Sequence, residues 1–150
     1  MSVEDQLAIL ERIAHYSYAW DGRDADAYAE LFVTDGIFEV LAEDNLPVIH
    51  NNGRDAIRAW ANAIHSGEDP GRRARQPDEQ SRHNQSGTVF DELEPDTART
   101  RTMLLSTAQT PDDPVPRPST TGVYHDEWRH TPEGWRLVRR SLHMDVAPSS

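Results

Sequence analysis

The sequence predicts an α+β fold in which three N-terminal helices pack inside a curved, mainly antiparallel sheet. The first part of the chain has apolar residues at helical spacing, and the part from residue 83 onward has four runs with strand-like alternation. Consecutive strands joined by short connections pair as antiparallel hairpins, and the helices cover the apolar face of such a sheet. With 150 residues and no internal repeat, the chain is expected to form one domain over residues 1–150.

Three segments are predicted to be helices. Apolar residues recur at helical steps over residues 3–20, and Asp21-Gly22 is expected to end this first helix. Asp24 is placed to cap a second helix, whose apolar positions extend over residues 27–32. The third helix is predicted over residues 55–65, with one apolar face.

The strands are predicted around turn and loop signals. Residues 34–36, Thr-Asp-Gly, predict a turn before a short strand at 37–41, and residues 44–52 predict a loop. Residues 66–81 are rich in Gly, Pro and charged side chains without an apolar period, which indicates a long loop or lid. Four further strands are expected at 83–93, 97–109, 120–130 and 134–145.

Composition excludes several classes of function. The formal charge of −11 opposes binding to a phosphate backbone, so nucleic acid is not an expected partner. No apolar run approaches the roughly 18 residues that span a bilayer, and the first ten residues do not resemble a signal peptide, so a cytoplasmic protein without a membrane partner is expected. There is no cysteine, and no HExxH motif, phosphate loop or Gly-x-Ser-x-Gly elbow occurs, so neither a metal nor a cofactor is expected.

Asp21 and His83 are the main candidates for chemistry. Asp21 stands at the end of the first predicted helix, five residues after Tyr16, and His83 opens the first long strand. A carboxylate beside an imidazole fixes its tautomer and stabilises the imidazolium, as general acid-base catalysis requires. Taken singly, Asp21 is explained as an exposed helix terminator, His83 as a structural histidine and Tyr16 as a core residue. The prediction of a site therefore depends on their joint placement.

Residues 16–36, Tyr-Ser-Tyr-Ala-Trp-Asp-Gly-Arg-Asp-Ala-Asp-Ala-Tyr-Ala-Glu-Leu-Phe-Val-Thr-Asp-Gly, resemble the SnoaL-like branch of the nuclear-transport-factor-2-like superfamily. Residues 53–57, 122–128 and 134–137 are similar to this family as well, so the resemblance covers nearly the whole chain. It implies a cone-shaped α+β barrel with a deep apolar pocket, assembled as a homodimer or homotrimer.

The resemblance also implies roles for particular residues. Scytalone dehydratase, the bile acid dehydratase and hexachlorocyclohexane dehydrochlorinase use an Asp–His dyad, whose positions match Asp21 and His83, and the pocket tyrosine of the bile acid enzyme matches Tyr16. The catalytic base of ketosteroid isomerase falls on Val40, which cannot accept a proton. The implied function is a cofactor-free dehydratase or other lyase, an isomerase or a cyclase. Its substrate is expected to be a small apolar, cyclic molecule.

Further residues are predicted to contact the substrate. Alternation along the last strand turns one of Arg139 and Arg140 inward, and Arg139 is the candidate, with a solvated basic pair as the alternative. The apolar and aromatic candidates, for which plain core packing is the alternative, are Phe38, Val40, Trp60, Tyr124 and Trp128.

Two other functions are compatible with the same sequence. A non-catalytic ligand-binding or assembly module can have the same fold, and separation of Asp21 from His83 beyond hydrogen-bond reach would favour it. The small subunit of a ring-hydroxylating dioxygenase would have a partner chain that carries the iron.

Overall fold

The computed structural model of the chain describes residues 2–42, 46–68 and 76–146. Within these ranges no helix is long and apolar enough to cross a membrane. The helices and strands, in chain order, are α1 (Val3–Asp21), α2 (Ala25–Ala29), β1 (Phe32–Leu41), β2 (Pro47–Asn52), α3 (Arg54–Ser66), β3 (Gln80–Leu93), β4 (Thr97–Gln109), β5 (Arg117–Thr131) and β6 (Gly134–Met144).

The helix α1 ends where the sequence predicts. At its beginning the hydroxyl of Ser2 accepts a hydrogen bond from the backbone N–H of Asp5, and the carboxylate of Asp5 accepts one from the N–H of Ser2. This reciprocal capping satisfies two of the donors that a helix N-terminus leaves free. At the other end Gly22 is the C-cap, so Asp21 is the last helical residue.

The predicted boundary between α2 and the first strand was wrong. Asp24 caps α2 as predicted, but the helix ends at Ala29, and Phe32 already belongs to β1, where it pairs with β6. Residues 34–36 do not form a separate turn, because β1 continues through them with an irregular register between Phe32 and Ile37. The turn signal therefore coincides with a bulge inside β1, where residues 33–36 have no partner on β6.

The six strands form one sheet in the order β2-β1-β6-β5-β4-β3, antiparallel except for the parallel pair β1 and β6. This curved, unclosed sheet packs against the helices, and the predicted α+β architecture is confirmed. The strand β2 was missed, because it is a largely exposed edge strand without apolar alternation. Parts of the two predicted loops, residues 44–45 and 69–75, lie outside the described residues.

One bulge changes which residues of β3 face the helices. Simple alternation places Val89 on the face of His83, but Val89 is exposed, and Thr88 and Phe90 turn inward instead. Between Ser86 and Val89 the strand has one more residue than the opposing β4, and Gly87 adopts φ +63° there. Glycine occupies this left-handed conformation without the steric cost that other residues carry.

Candidate active site

Asp21 and His83 are in direct contact, although 62 residues separate them in the chain. The Nδ1 atom of His83 lies 2.7 Å from Oδ1 of Asp21, and the two side chains are 17% and 3% exposed, respectively. The contact arises because β3 packs along α1, which brings the strand start to the helix end. The structure thus brings together the two residues on which the sequence prediction depends.

Within the described ranges, the carboxylate of Asp21 accepts hydrogen bonds from three donors. Besides His83 Nδ1, these are the hydroxyl of Ser81, 2.7 Å from Oδ1, and the backbone N–H of His83, 2.8 Å from Oδ2. Burial acts to raise the pKa of Asp21, but the hydrogen bonds with His83 and Ser81 outweigh it, so the pKa is lowered. The ionised carboxylate can only accept, so it holds the hydrogen of His83 on Nδ1 and leaves a lone pair on Nε2.

His83 forms part of the wall of a partly open cavity of about 110 Å³ between the helices and the sheet. Apart from this histidine, the lining side chains are uncharged. The volume is below the roughly 150 Å³ that admits benzene, so a larger ring system would extend into the mouth of the cavity. The lining residues are Tyr16, Trp20, Phe38, Val40, Trp60, His83, Leu104, Ser106, Thr120, Tyr124, Leu142 and Met144.

Two of the predicted substrate contacts do not line this cavity. Trp128 is buried in the core, and its Nε1 donates to the hydroxyl of Thr100 at 2.9 Å. Arg139 lies on the outer side of the sheet and pairs with Glu39 at 3.1 Å. One of the two arginines faces inward as predicted, but the register between β5 and β6 shifts next to Leu137, and the inward residue is Arg140.

Arg140 lies against the tyrosines of the cavity. Its guanidinium carbon is 4.2 Å from the ring centre of Tyr16 and 3.7 Å from that of Tyr124, at cation-π distance. The hydroxyl of Tyr28 donates to that of Tyr16 at 2.9 Å, and the hydroxyl of Tyr124 is a second hydrogen-bond partner of Tyr16. Burial raises the pKa of Tyr16, so its hydroxyl is neutral and can donate a hydrogen bond.

Polar contacts connect Arg140 to the backbone of His83. Arg140 forms a two-fold ion pair with Asp126, at 2.8 and 2.9 Å, and donates to Oε1 of Gln85. The amide of Gln85 donates to the hydroxyl of Ser17, which in turn donates to the carbonyl of His83 at 2.7 Å. This chain of hydrogen bonds fixes the start of β3 against α1.

Sequence reasoning missed Ser17, Ser81 and Gln85, and it did not choose Arg140. A signal for two of them was present, because Ser81 and Gln85 are two residues before and after His83 and therefore share its face of the strand. Within the described parts of the chain, no group of three or more histidine or acidic residues could hold a metal ion.

A family model described as a SnoaL-like domain matches residues 1–141. No curated protein matches the chain significantly. Among solved structures, the chain is similar to an NTF2-like protein with a cystatin-like fold from Novosphingobium aromaticivorans. The two are 27% identical with a TM-score of 0.77, over 98% of this chain and 86% of the other.

Two further structures share the fold at lower identity. ActVI-ORFA from Streptomyces coelicolor is 23% identical with a TM-score of 0.75, over 93% of this chain and 96% of its own. A protein of Novosphingobium aromaticivorans that is provisionally assigned as a scytalone dehydratase is 21% identical with a TM-score of 0.75, over 96% of this chain and 86% of its own.

Proposed function

Because this chain belongs to the SnoaL-like family, we propose that it is a cofactor-free general acid-base enzyme, namely a dehydratase or other lyase, an isomerase or a cyclase. The observation that carries the proposal is the 2.7 Å contact between His83 Nδ1 and Asp21 Oδ1, with the imidazole on the wall of an apolar cavity. A buried carboxylate that orients an imidazole toward a cavity is an arrangement suited to proton transfer.

His83 is the group that moves the proton. In a dehydration, Nε2 removes a proton from the carbon next to a substrate carbonyl, and the electrons of that C–H bond form the new C=C bond as the C–O bond breaks. The imidazolium then returns the proton to the departing hydroxyl, which leaves as water. In an isomerisation the proton returns to another carbon instead. Asp21 balances the charge of the imidazolium and keeps the ring in place, since it contacts both Nδ1 and the backbone N–H.

Tyr16 is the group that stabilises the substrate oxygen. Negative charge develops on a carbonyl oxygen when the neighbouring carbon loses a proton, and a fixed hydrogen-bond donor lowers the energy of that state. Because Tyr28 donates into the oxygen of Tyr16, the Tyr16 hydroxyl can donate to a substrate oxygen that takes the place of its contact with the hydroxyl of Tyr124. The positive charge of Arg140, which lies over the ring of Tyr16, also stabilises negative charge on a substrate oxygen bound by Tyr16.

The cavity wall supports a neutral, flat and cyclic substrate. Trp20 and Trp60 are stacked at 5.0 Å between ring centres, and Phe38 lies 5.1 Å from Trp60 at a similar tilt. These rings offer a continuous aromatic surface for a ring system, since aromatic faces pack well in offset stacks. Among the described residues, no lysine, arginine or acidic side chain lines the cavity, so none of them would compensate a charged substrate there.

The proposal is tested with a panel of cyclic β-hydroxy ketones, by following the absorbance of the enone that dehydration forms. We expect His83→Ala to lower turnover by about 10²–10⁴-fold with an unchanged circular dichroism spectrum. His125→Ala is the matched control, because His125 lies on the outer side of the sheet, and it should leave turnover unchanged.

Full activity of His83→Ala would contradict the mechanism. Binding of the panel by the wild-type chain without turnover would favour the non-catalytic module instead. Light scattering on the purified chain addresses its assembly, for which we propose a homodimer or homotrimer. Co-purification with an iron-containing chain would favour the dioxygenase subunit.

A further inference from the structure

A second cavity lies apart from the candidate active site, between the start of β1, the first turn of α3 and the hairpin that joins β5 to β6. Its volume is about 360 Å³, within the roughly 300–1,000 Å³ of small-molecule sites, and it shares no lining residue with the cavity of His83. Three arginines line it: Arg54, Arg129 and Arg136. A basic lining is unexpected in a chain with a formal charge of −11.

Arg136 is the buried cation of this cavity. The residue is only 9% exposed, its Nη1 donates to the carbonyl of Trp135 at 3.0 Å, and its buried Nε has no hydrogen-bond partner among the described residues. It also forms no ion pair within the described part of the chain. Buried polar groups are nearly always hydrogen-bonded, so a donor left over beside a cavity requires a partner from outside the described residues, either a water molecule or an anion.

Arg54 and Arg129 add positive charge at the sides. The carbonyl of Phe32 accepts a hydrogen bond from Nε of Arg54 at 3.0 Å, which holds this side chain in place, and its nearest carboxylate, of Glu30, is 3.9 Å away. The helix α3 begins at Arg54 without a side-chain cap, so the positive end of its dipole also lies beside the cavity. Arg129 is exposed and has no ion pair with any described residue.

Two acidic residues, Asp35 and Glu133, line the same cavity. Both are exposed, and neither forms an ion pair with the arginines in the described ranges. Charges in water are screened over about 8 Å at physiological ionic strength, whereas a buried charge is screened much less. The buried guanidinium therefore dominates the floor of the cavity, while the two acids lie at its rim.

We propose that this cavity binds the oxyanion group, carboxylate or phosphate, of a small molecule at the guanidinium of Arg136, between Arg54 and Arg129. A planar guanidinium presents two N–H groups along one edge to two oxygens. Nη1 of Arg136 is taken by the carbonyl of Trp135, so the edge of Nε and Nη2 remains for an oxyanion, and because Nε is closed off from solvent, the side chain shifts to present that edge when the anion binds. The cavity is larger than an inorganic ion, so it has room for the molecule that carries the anionic group.

Isothermal titration of the full chain with inorganic phosphate and, separately, with succinate tests the proposal. Sodium chloride keeps the ionic strength equal in both titrations. We expect saturable binding of at least one of the two anions, at one site per chain, with an affinity that falls as salt rises. The anion that binds more tightly, phosphate or succinate, indicates whether the ligand carries a phosphate or a carboxylate group.

Substitutions of single arginines test whether the anion binds in this cavity. Arg136→Gln should weaken binding about tenfold or more, because a charge-assisted pair of hydrogen bonds is lost, and Arg129→Gln about threefold. Arg99→Gln is the matched control, since Arg99 is an exposed arginine on the outer side of the sheet, and it should bind like the wild type. If Arg136→Gln fails to fold, the affinity of Arg129→Gln for the anion tests whether the anion binds in this cavity. Absence of saturable binding to the wild-type chain, or equal binding by the cavity variants and the control, would overturn the proposal.

Discussion

Replacing Asp21 with Asn tests whether the carboxylate sets the tautomer of His83. An amide has one accepting and one donating end, whereas Asp21 accepts from three donors. The backbone N–H of His83 can only donate, while the hydroxyl of Ser81 and the imidazole Nδ1 can each donate or accept. The amide oxygen is therefore expected to face the backbone N–H, and the amide NH₂ group to face Ser81 and Nδ1. The hydrogen of the imidazole then moves to Nε2, and the lone pair no longer points into the cavity.

The cost to stability follows from the same three hydrogen bonds. Bonds to a charged group contribute about 1.5–3 kcal/mol each, neutral ones about 1 kcal/mol, and relief of the buried charge offsets part of the difference. We expect Asp21→Asn to lower the free energy of unfolding by about 2 kcal/mol, which corresponds to roughly 4–8 °C in melting temperature for a chain of this size. The fold should persist, because the side chains have nearly the same shape.

The pH dependence of stability should change as well. The folded-state pKa of Asp21 is lowered, so its contribution is complete above the unfolded-state pKa of about 3.9 and is lost as the pH falls through the folded-state value. Asp21→Asn should therefore show a smaller loss of stability in acid than the wild type. Urea unfolding as a function of pH measures both the loss at pH 7 and this difference.

Nitrogen-15 spectra of histidine-labelled protein report the tautomer without any substrate. We expect the Nδ1–H form of neutral His83 in the wild type and the Nε2–H form in Asp21→Asn. Asp112→Asn is the control, because Asp112 is exposed. An Nδ1–H tautomer in both proteins, with a stability loss below about 0.5 kcal/mol, would refute the reasoning.

Three other substitutions have defined outcomes. Asp5→Asn should reduce the loss of stability between about pH 4 and pH 2, because a hydrogen bond from Trp135, together with the helix cap, lowers the pKa of Asp5 to about 2; an unchanged pH profile in urea unfolding would contradict this. Arg140→Met should cost about 3–5 kcal/mol by leaving Asp126 buried and unpaired, and the double variant with Asp126→Leu should recover much of it in the same assay. Gly87→Ala should cost about 1–2 kcal/mol because of its positive φ, and a loss below half of that would argue against the strained conformation.

The sequence was sufficient for the architecture and for the contact between Asp21 and His83. The end of α1 has an Asp-Gly pair, and β3 opens after a segment without an apolar period, so both boundaries have local signals. The resemblance to a known family then indicated that a helix end and a strand start so far apart in the chain meet. Local pattern alone could not have predicted this contact, because it depends on how β3 packs along α1.

The errors arose where pairing between strands overrides local pattern. Alternation along β6 indicates only that one of Arg139 and Arg140 faces inward, and which one does so depends on the register shift next to Leu137, which the opposing strand sets. The edge strand β2 was missed because an exposed edge needs no apolar alternation, and its pairing with β1 is a long-range property. Trp128 was placed in the cavity because an aromatic residue on a strand does not reveal whether it faces a void or a filled core.

The bulge at Gly87 divides β3 into two parts with independent orientation. In the second part, a further register shift lies between Phe90 and Glu92, and the pairing of Phe90 with Thr100 of β4 keeps Phe90 packed against the core. Deletion of one residue at position 87 would leave that part unchanged and rotate every earlier residue of the strand to the opposite face. His83 would then point to solvent, and Arg82 would point into the cavity. A single residue without contact to the candidate site thus determines which face of the sheet His83 lies on. Insertion or loss of one residue there would place His83 in the cavity or remove it, while most of the core stays in place.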